Sequence, residues 1–329
     1  MRILVTGAAG FIGSSYVRTL LNGGYPKFAD ASVTVLDKLT YAGNEANLEP
    51  VARSSQYEFV EGDIADAGLV DELVQGTDVV LNFAAETHVD RSITGAAAFV
   101  ATNVAGTQTL LDASLRHRVG RFVQVSTDEV YGSIAEGSWD ERHILEPSSP
   151  YSAAKAGGDL IARAYATTYG MDVVITRCSN NYGPYQFPEK VMPLFITNLI
   201  DGLPVPLYGD GLNVRDWLHV DDHCRGIQLV AESGRAGEVY NIGGGTELTN
   251  RELTERLLAA CGAGWDMVEY VEDRLGHDRR YSVDITKIAT ELGYAPEVDF
   301  DRGLAETVKW FQDNEAWWRP LKERAALTR

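Results

Sequence analysis

Short apolar runs alternate with longer amphipathic stretches through the first half of the chain. The apolar runs predict strands at Ile3–Thr6, Val33–Asp37, Tyr57–Glu61, Asp78–Phe83, Phe122–Ser126 and Val173–Arg177. Runs such as Val79–Phe83 do not alternate with polar residues, which is typical of parallel strands buried on both faces. Between the strands, apolar positions recur at helical spacing, in stripes that begin at Phe11 and at Val100. This alternation predicts an α/β fold with a doubly wound parallel sheet.

The sequence changes character after about residue 178. Prolines and glycines become frequent and the apolar runs become brief, which predicts a smaller mixed α/β lobe over the ends of the sheet. We therefore expect a first domain over residues 1–178 and a mainly separate lobe over residues 179–329. The segment 214–242 has a βα pattern again, and we expect it to return to the first domain. Three tryptophans near the end, Trp310, Trp317 and Trp318, are expected to pack from a helix.

Charge and composition exclude several classes of function. The 329 residues include 47 acidic and 29 basic side chains, which gives a formal net charge of −18. Such a surface repels phosphate backbones and anionic lipids, so we expect neither a nucleic acid nor a membrane as a partner. We find neither a membrane-span pattern nor a signal-peptide pattern and expect a cytoplasmic protein. The three cysteines form no C-x-x-C pair, so neither a disulfide framework nor a zinc site is indicated.

A glycine-rich segment lies directly between the first predicted strand and the first predicted helix. It reads Thr6-Gly-Ala-Ala-Gly-Phe-Ile-Gly13, with the spacing G-x-x-G-x-x-G. Glycines there allow a tight turn, a close approach to a pyrophosphate and close packing of helix on strand. The helix N-terminus adds free N–H groups and a positive dipole end. Together these features predict a dinucleotide site at Gly7, Gly10 and Gly13.

Acidic residues follow the next two predicted strands. Asp37 ends the second strand, where a carboxylate accepts hydrogen bonds from the adenosine ribose and repels a 2′-phosphate. This position favours NAD over NADP, and it weakens the alternative that Asp37 only caps a turn or a helix. Asp63 follows the third strand, where an adenine edge could be recognised.

A tyrosine and a lysine stand four residues apart in Tyr151-Ser-Ala-Ala-Lys155. On a helix these two side chains share a face. A phenol with a pKa of about 10 is a poor base at neutral pH, but a nearby ammonium group and an oxidised nicotinamide would lower that pKa. The pair, together with Ser126 at the end of the fifth strand, therefore predicts a general base for the oxidation of an alcohol.

The glycine turn, Ser126 and the Tyr-Lys pair together resemble the extended short-chain dehydrogenase/reductase family, which implies a Rossmann-type sheet. The fifth strand ends in Ser126-Thr-Asp-Glu-Val-Tyr-Gly132. Its Thr-Asp-Glu is similar to the signature of nucleoside-diphosphate-glucose 4,6-dehydratases. Segments 39–44, 85–92, 177–185 and 215–217 are similar to the members of that group that act on dTDP-glucose.

The two adjacent carboxyl groups impose a condition on the fold. In a continuing strand Asp128 and Glu129 would face opposite sides, so both can serve one pocket only if the chain leaves the extended form there. The alternative is two solvated loop carboxylates. By resemblance, sugar epimerases of the family lack the pair, and the related decarboxylases keep only the glutamate.

The resemblance implies a reaction cycle on dTDP-glucose. Tyr151 would take the C4 hydroxyl proton while the C4 hydride moves to NAD, with Thr127 hydrogen-bonding that hydroxyl and Lys155 holding the phenolate. Glu129 would remove the C5 proton and Asp128 would protonate the departing C6 hydroxyl, a pair in which one carboxyl stays protonated. Return of the hydride to C6 would give dTDP-4-keto-6-deoxyglucose, so NAD should stay tightly bound through each turnover.

The resemblance also implies three sets of site residues. The catalytic set is Thr127, Asp128, Glu129, Tyr151 and Lys155. The cofactor set is Gly7, Gly10, Phe11, Ile12, Gly13, Asp37, Lys38, Thr40, Asp63, Ile64, Phe83, Ala84, Ala85, Thr102, Tyr151, Lys155 and Asn181. The substrate set is Thr87, Thr127, Asn180, Glu189, Lys190, Pro206, Tyr208, Arg215, Asn250, Arg274 and His277. The family usually has a proline after the arginine that corresponds to Arg274, whereas this chain has Leu275.

Rival functions and the assembly remain open at this point. An epimerase or decarboxylase of the same family is disfavoured by Asp128, and a non-catalytic sensor of NAD or of a nucleotide sugar is disfavoured by the retained Tyr-Lys pair. The resemblance implies a homodimer formed through two long helices. The Val100–Leu115 stripe and the helix that begins at Tyr151 are the candidates.

A second cluster has the chemistry of metal ligands. His219-Val-Asp-Asp-His223-Cys224 places two histidines at helical spacing beside two carboxylates. A simpler interpretation is that Asp221 caps a helix and His223 packs in the following turn. We therefore predict no metal site.

Overall fold

The computed structural model describes residues 1–327, and a seven-stranded sheet forms its centre. Its strands are β1 (Arg2–Thr6), β2 (Ser32–Asp37), β3 (Tyr57–Glu61), β4 (Val79–Asn82), β5 (Arg121–Thr127), β6 (Val173–Cys178) and β10 (Val239–Ile242). They lie in the order β10-β6-β5-β4-β1-β2-β3, and every neighbouring pair is parallel. The six strands predicted from the sequence are confirmed to within one residue at each end.

Within residues 1–327, five strands lie outside this sheet: β7 (Asn180–Tyr182), β8 (Val205–Tyr208), β9 (Val214–His219), β11 (Glu247–Thr249) and β12 (Val268–Val271). The helices are α1 (Phe11–Leu21), α2 (Ala67–Val74), α3 (Val89–Thr94), α4 (Ala96–Val100), α5 (Thr107–Arg116), α6 (Pro150–Tyr169), α7 (Val191–Ile200), α8 (Val220–Ser233), α9 (Asn250–Cys261), α10 (Thr286–Leu292), α11 (Phe300–Asp313) and α12 (Glu315–Leu327). Among the described residues, no helix combines the length and the apolar character that crossing a membrane requires.

Helices cover both faces of the large sheet. On one face, Tyr16 and Val17 of α1 and Ile227 of α8 are buried in one apolar core. On the other face, Val70 of α2 and Leu111 of α5 belong to a second core. The chain thus winds from β1 towards β3 on one side and from β4 towards β6 on the other. A crevice forms where the winding reverses, at the carboxyl ends of β1 and β4, which is where ligands bind in such sheets.

The second lobe has a core of its own. A three-stranded sheet, in the order β11-β9-β7, and the pair β12-β8 are packed with α7, α9 and α11. Trp217, Phe311 and Trp318 lie among its buried apolar side chains. The three C-terminal tryptophans thus lie on α11 and α12, as expected, and Trp318 is fully buried.

The segment 214–242 is divided between the two sheets. Strand β9 belongs to the small sheet, α8 packs on β5 and β6, and β10 forms an edge of the large sheet. Only the later part of the segment therefore joins the large sheet. The Val100 stripe is also interrupted, because one turn of π-helix spans Ala101–Gly106. Val100 itself ends α4 and is 51% exposed.

Candidate active site

The glycine-rich turn joins β1 to α1 at the centre of the crevice. Gly7 has a φ of +71°, and a Cβ atom there would lie 2.5 Å from the backbone of Ala84. A Cβ atom on Gly13 would lie 2.8 Å from the Ala8 Cα atom and from the Gly7 carbonyl oxygen. Side chains are therefore excluded from both positions. The first N–H groups of α1 have no intrahelical acceptor, so the turn presents donors to a pyrophosphate, as a dinucleotide requires.

Two carboxylates lie in the cleft beside the glycine-rich turn. Asp37 accepts hydrogen bonds from the backbone N–H groups of Ala9, at 2.9 Å, and Leu39, at 2.8 Å. Each oxygen retains a second lone pair, so Asp37 both braces the turn and can accept from a ribose hydroxyl group. Lys38 forms an ion pair of 2.6 Å with Asp63. This pair makes one wall of the same cleft.

The predicted acid and base lie on a tight turn after β5. A 3₁₀ turn spans Asp128–Tyr131, and the Thr127 hydroxyl group accepts a hydrogen bond from the Glu129 N–H at 3.3 Å. The chain therefore leaves the extended form where the adjacent carboxyls require it, and both line the same cleft. The Asp128 Oδ2 atom is buried and has no hydrogen-bond partner within residues 1–327.

The two carboxyl groups have different electrostatic surroundings. Burial, together with the negative charges of Glu129 and Asp216, raises the pKa of Asp128 well above its usual range. Burial raises the pKa of Glu129 as well, but the positive charges of Arg215, Lys190 and Arg274 oppose that rise. Because the cations favour the ionised form of Glu129, the arrangement favours one protonated acid beside one available base.

Tyr151 and Lys155 lie in the first turns of α6. Ser149 and Ser152 form a capping box that starts this helix beside the cleft. The Lys155 Nζ atom donates to the Val125 carbonyl oxygen at 2.6 Å, which fixes the ammonium group against β5. Burial and the charge of Glu129 raise the pKa of Tyr151, while a hydrogen bond with the Thr127 hydroxyl opposes that rise.

That the Lys155 ammonium group and an oxidised nicotinamide together lower the pKa of Tyr151 stays a prediction. The ammonium group itself is directed to a backbone carbonyl of β5. Burial also lowers the pKa of Lys155 itself.

A second cleft continues from the first into the smaller lobe. Glu129, Asn180, Asn181, Glu189 and Lys190 line both clefts, so a ligand in one can reach a ligand in the other. Every residue of the predicted cofactor set lines the first cleft. Every residue of the predicted substrate set lines the second, except Thr127, which lines the first.

Buried and half-buried cations line this second cleft. Arg215 is 7% exposed, donates to the carbonyl oxygens of Val214 and Asp278, and lies over the ring of Tyr281 at 4.2 Å. The Lys190 Nζ atom donates to the Thr87 carbonyl oxygen at 3.1 Å. These cations form a local basic pocket that can hold an anion although the protein as a whole is acidic.

Arg274 and His277 complete the basic wall. Arg274 lies over the ring of Tyr208 at 5.2 Å, and its Nε atom is 3.4 Å from a carboxylate oxygen of Asp90. The His277 Nδ1 atom lies 2.6 Å from a carboxylate oxygen of Asp273. Leu275, which stands where the family usually has proline, is 77% exposed, yet its neighbours Arg274 and His277 still line the cleft.

Sequence reasoning missed several side chains that line the clefts, among them Gln186 and Trp217. Gln186 lines both clefts, donates to the Asn181 carbonyl oxygen at 2.9 Å and has a buried Oε1 atom without a hydrogen-bond partner in the described chain. Trp217 lines the substrate cleft, and its buried indole N–H has no acceptor among residues 1–327. Trp217 could have been found, because it stands two residues after Arg215 on β9 and therefore on the same face.

The histidine cluster after β9 corrects one prediction. The N-cap of α8 is His219, whose Nδ1 atom accepts from the Asp221 N–H at 3.3 Å, so the prediction that Asp221 caps the helix is wrong. Asp221 lies one residue inside the helix and accepts from the Ser15 hydroxyl group instead. His223 is fully buried, as expected, and burial lowers its pKa to about 3. No group of side chains in residues 1–327 has the arrangement of a metal site.

Comparison with known proteins gives one consistent family. The family model described as GDP-mannose 4,6 dehydratase matches residues 4–307. A dTDP-glucose 4,6-dehydratase of Streptomyces niveus is 65% identical over 98% of this chain and 96% of its own length. One of Streptomyces antibioticus is 64% identical over 99% of this chain and 97% of its own length.

The fold comparison agrees with these relatives. The crystal structure of DesIV, a dTDP-glucose 4,6-dehydratase from Streptomyces venezuelae solved with NAD and dTDP bound, superposes with a TM-score of 0.97. It is 63% identical and covers 98% of this chain and 100% of that chain. The chain therefore belongs to the nucleotide-sugar 4,6-dehydratase family and, within it, to the dTDP-glucose 4,6-dehydratases.

Proposed function

We propose that this chain is an NAD-dependent hydro-lyase that converts dTDP-glucose to dTDP-4-keto-6-deoxyglucose. The observation that carries the assignment is the pair Asp128 and Glu129, held on one turn in different electrostatic surroundings. Removal of water needs a base for one carbon and an acid for the leaving hydroxyl on the next. An epimerisation needs no such pair.

The residues of the first cleft fit the cofactor. Gly7 and Gly13 leave room for a pyrophosphate, and Asp37 offers lone pairs to a ribose. When bound there, NAD⁺ supplies an acceptor for the C4 hydride and returns that hydride to C6. Because the reaction regenerates it, the protein gains nothing by releasing it between turnovers.

Oxidation at C4 depends on Tyr151, Thr127 and Lys155. The phenol of Tyr151 takes the proton of the C4 hydroxyl group, which the Thr127 hydroxyl orients. Because burial and Glu129 raise the pKa of this phenol, the positive charge that it needs must come from Lys155 and from the ligand next to it. The hydrogen bond from Lys155 to Val125 holds the ammonium group on the correct side of the sheet.

Elimination depends on the two carboxyls. The ketone at C4 acidifies the C5 proton, which Glu129 removes in its ionised form. The raised pKa of Asp128 favours its protonated form, and its Oδ2 atom has no hydrogen-bond partner in the described chain, so its proton is available for the C6 hydroxyl group. Water then leaves, and reprotonation at C5 completes the 4-keto-6-deoxy sugar.

The nucleotide is held by the second cleft. Arg215, Arg274 and Lys190 neutralise the diphosphate, and Pro206 and Tyr208 border the thymidine. We propose that residues 1–178 mainly bind the cofactor and residues 179–329 mainly bind the substrate, with 214–242 shared between them. This division places the reacting sugar between the two clefts.

We also propose that two copies of the chain form a dimer through α4, α5 and α6. Val100 at the end of α4 and Leu160 on α6 are 51% and 55% exposed, and both are large apolar side chains. These helices pack on one another within the chain, so their outer faces form one surface. A cytoplasmic location suits an enzyme whose ligands are NAD and a nucleotide sugar.

The test is to incubate the purified protein with dTDP-glucose, without added NAD, and to analyse the nucleotide sugar by mass spectrometry. The proposal predicts a product that has lost one water, with no net reduced cofactor in solution. An isomer of unchanged mass would indicate an epimerase instead. An unchanged sugar, even with NAD supplied, would overturn the substrate assignment, and UDP-, CDP- and GDP-sugars would be tested next.

A further inference from the structure

The C-terminal helix reaches the phosphate-binding turn through one side chain. The indole N–H of Trp317, on α12, donates a hydrogen bond of 3.0 Å to the Oδ1 atom of Asn47. The Nδ2 atom of Asn47 donates a hydrogen bond of 2.9 Å to the carbonyl oxygen of Ala9, between Gly7 and Gly10. The two ends of the chain are thus linked at the cofactor site through a residue that is 2% exposed.

The chemistry at the two ends of this link fits the side-chain amide of Asn47. An indole N–H can donate but not accept, and a backbone carbonyl can accept but not donate. A side-chain amide has one acceptor and one donor, so it satisfies both partners in a single orientation. Trp317 therefore determines which end of Asn47 faces the turn, because the reverse orientation would oppose two donors on one side and two acceptors on the other.

The Ala9 peptide is fixed by these contacts. Its N–H donates to Asp37, and its carbonyl oxygen accepts from the backbone N–H of Asn44 at 3.0 Å and from Asn47. With that carbonyl group held away, the N–H groups at the start of α1 stay directed at the pyrophosphate position. The shape of the turn is thus maintained from outside the cleft as well as by its own glycines.

The position of Trp317 is itself fixed by aromatic packing. Its ring lies 5.1 Å from that of Trp310 and 5.6 Å from that of Tyr185. Tyr185 has a φ of +67° and directly precedes Gln186 and Phe187, which line the cofactor cleft. One turn after Trp317, Leu321 of α12 also packs against the cleft wall, in one apolar cluster with Phe187.

From this geometry we propose that Trp317 is a positioning residue that prolongs the residence of NAD, acting through Asn47 on the glycine-rich turn. The inference rests on the proposed use of NAD and adds to it a determinant outside the cleft. In this proposal the C-terminal helix helps to retain NAD. Such retention suits a reaction that regenerates NAD in every cycle.

The experiment compares Trp317→Phe with Trp310→Phe in the full-length protein loaded with NAD. Both changes replace an indole by a phenyl ring in the same aromatic cluster, but the Trp310 indole N–H has no acceptor in the described chain, so only Trp317→Phe removes a hydrogen bond. The readout is the exchange of bound NAD for radiolabelled NAD, measured after rapid gel filtration. We expect exchange about tenfold faster in Trp317→Phe and unchanged in Trp310→Phe.

A double-mutant cycle with Asn47→Ala distinguishes an effect that Trp317 exerts through Asn47 from a general destabilisation of the protein. If Trp317 acts through Asn47, then Trp317→Phe has no further effect on exchange in the Asn47→Ala background. Equal acceleration by both tryptophan variants, additive effects with Asn47→Ala, or unchanged exchange in Trp317→Phe would each overturn the inference. A wild-type protein that binds no NAD would instead contradict the proposed function, so the two failures are distinguishable.

Discussion

The two clefts recognise their ligands by different means. The cofactor cleft is built from backbone, with glycines that admit no side chain and N–H groups at the start of α1. The substrate cleft is built from long cationic side chains, Arg215, Arg274 and Lys190, contributed by separate segments. The glycine-rich turn has no room for an added Cβ atom. The cationic side chains of the substrate cleft, in contrast, also act electrostatically on the groups around them.

The cations of the substrate cleft influence the proposed catalytic base as well as the proposed diphosphate site. The same three cations oppose the rise in the pKa of Glu129 that burial causes. On the proposed assignment, the substrate cleft binds the diphosphate and also favours the ionised form of Glu129. The glycine-rich turn of the cofactor cleft contributes shape and uncharged N–H donors. Perturbing the substrate cleft should therefore alter the pH dependence of turnover, and perturbing the glycine-rich turn should not.

The largest effect is expected at the junction of the clefts, in Glu129→Gln. Glutamine keeps the shape but cannot remove the C5 proton, so kcat should fall by about a thousandfold. Oxidation at C4 uses other residues and should persist, which stopped-flow absorbance of the reduced cofactor would detect. Loss of that signal together with turnover would show that Glu129 acts in the first step.

The next largest effect is expected in the cofactor cleft, in Gly7→Ala. A Cβ atom would lie 2.5 Å from Ala84, at a φ of +71°, so NAD affinity should fall by about a hundredfold. Gly23→Ala is the matched control, because Gly23 has a φ of +80° but nothing within 4 Å of its added atom. Calorimetric titration with NAD would measure both. Equal losses would mean that backbone strain alone, rather than the shape of the cleft, is responsible.

A smaller effect is expected in the substrate cleft, in Arg215→Gln. Loss of one buried cation from the diphosphate site should raise the KM for dTDP-glucose about tenfold while NAD retention stays unchanged. Arg279→Gln is the control, because Arg279 is 54% exposed in a surface pair with Asp210. A steady-state comparison of the two variants decides whether position in the cleft, rather than net charge, matters.

The smallest effect is a shift of the pH profile. Ionised Glu129 and protonated Asp128 are both required, so kcat should fall when acid protonates Glu129 and again when base ionises Asp128. Both pKa values are raised, and Arg215 lowers both, so Arg215→Gln should move both limbs of the profile to higher pH, by about half a unit. In Gly23→Ala the limbs should stay in place. A shift of either limb to lower pH in Arg215→Gln would contradict the electrostatic account.

The contrast between the clefts also explains what the sequence could predict. The strands were predictable because burial on both faces leaves uninterrupted apolar runs, and the glycine turn because its residues are contiguous. The substrate residues were predicted only from the family resemblance, because no local sequence pattern relates Arg215 to Lys190. Gln186 was missed because its role depends on how one loop lies across both clefts.

Two further features depended on tertiary structure. The N-cap of α8 is His219 rather than Asp221, because the helix starts two residues earlier than a cap at Asp221 would require. The hydrogen bond between Trp317 and Asn47 joins residues 270 positions apart and has no local pattern. Neither feature could be predicted from residue spacing. The cap depends on where β9 ends and α8 begins, and the hydrogen bond depends on the packing of α12 near the glycine-rich turn.

The central claim is that one site oxidises C4, removes water and returns the same hydrogen to C6. The most direct measurement is to convert dTDP-glucose that carries deuterium at C4 and to locate the label in the product by NMR and mass spectrometry. The account predicts deuterium in the C6 methyl group of the 4-keto-6-deoxy sugar, even with excess unlabelled NAD in solution. Deuterium in the released cofactor or in the solvent, with an unlabelled methyl group, would contradict it.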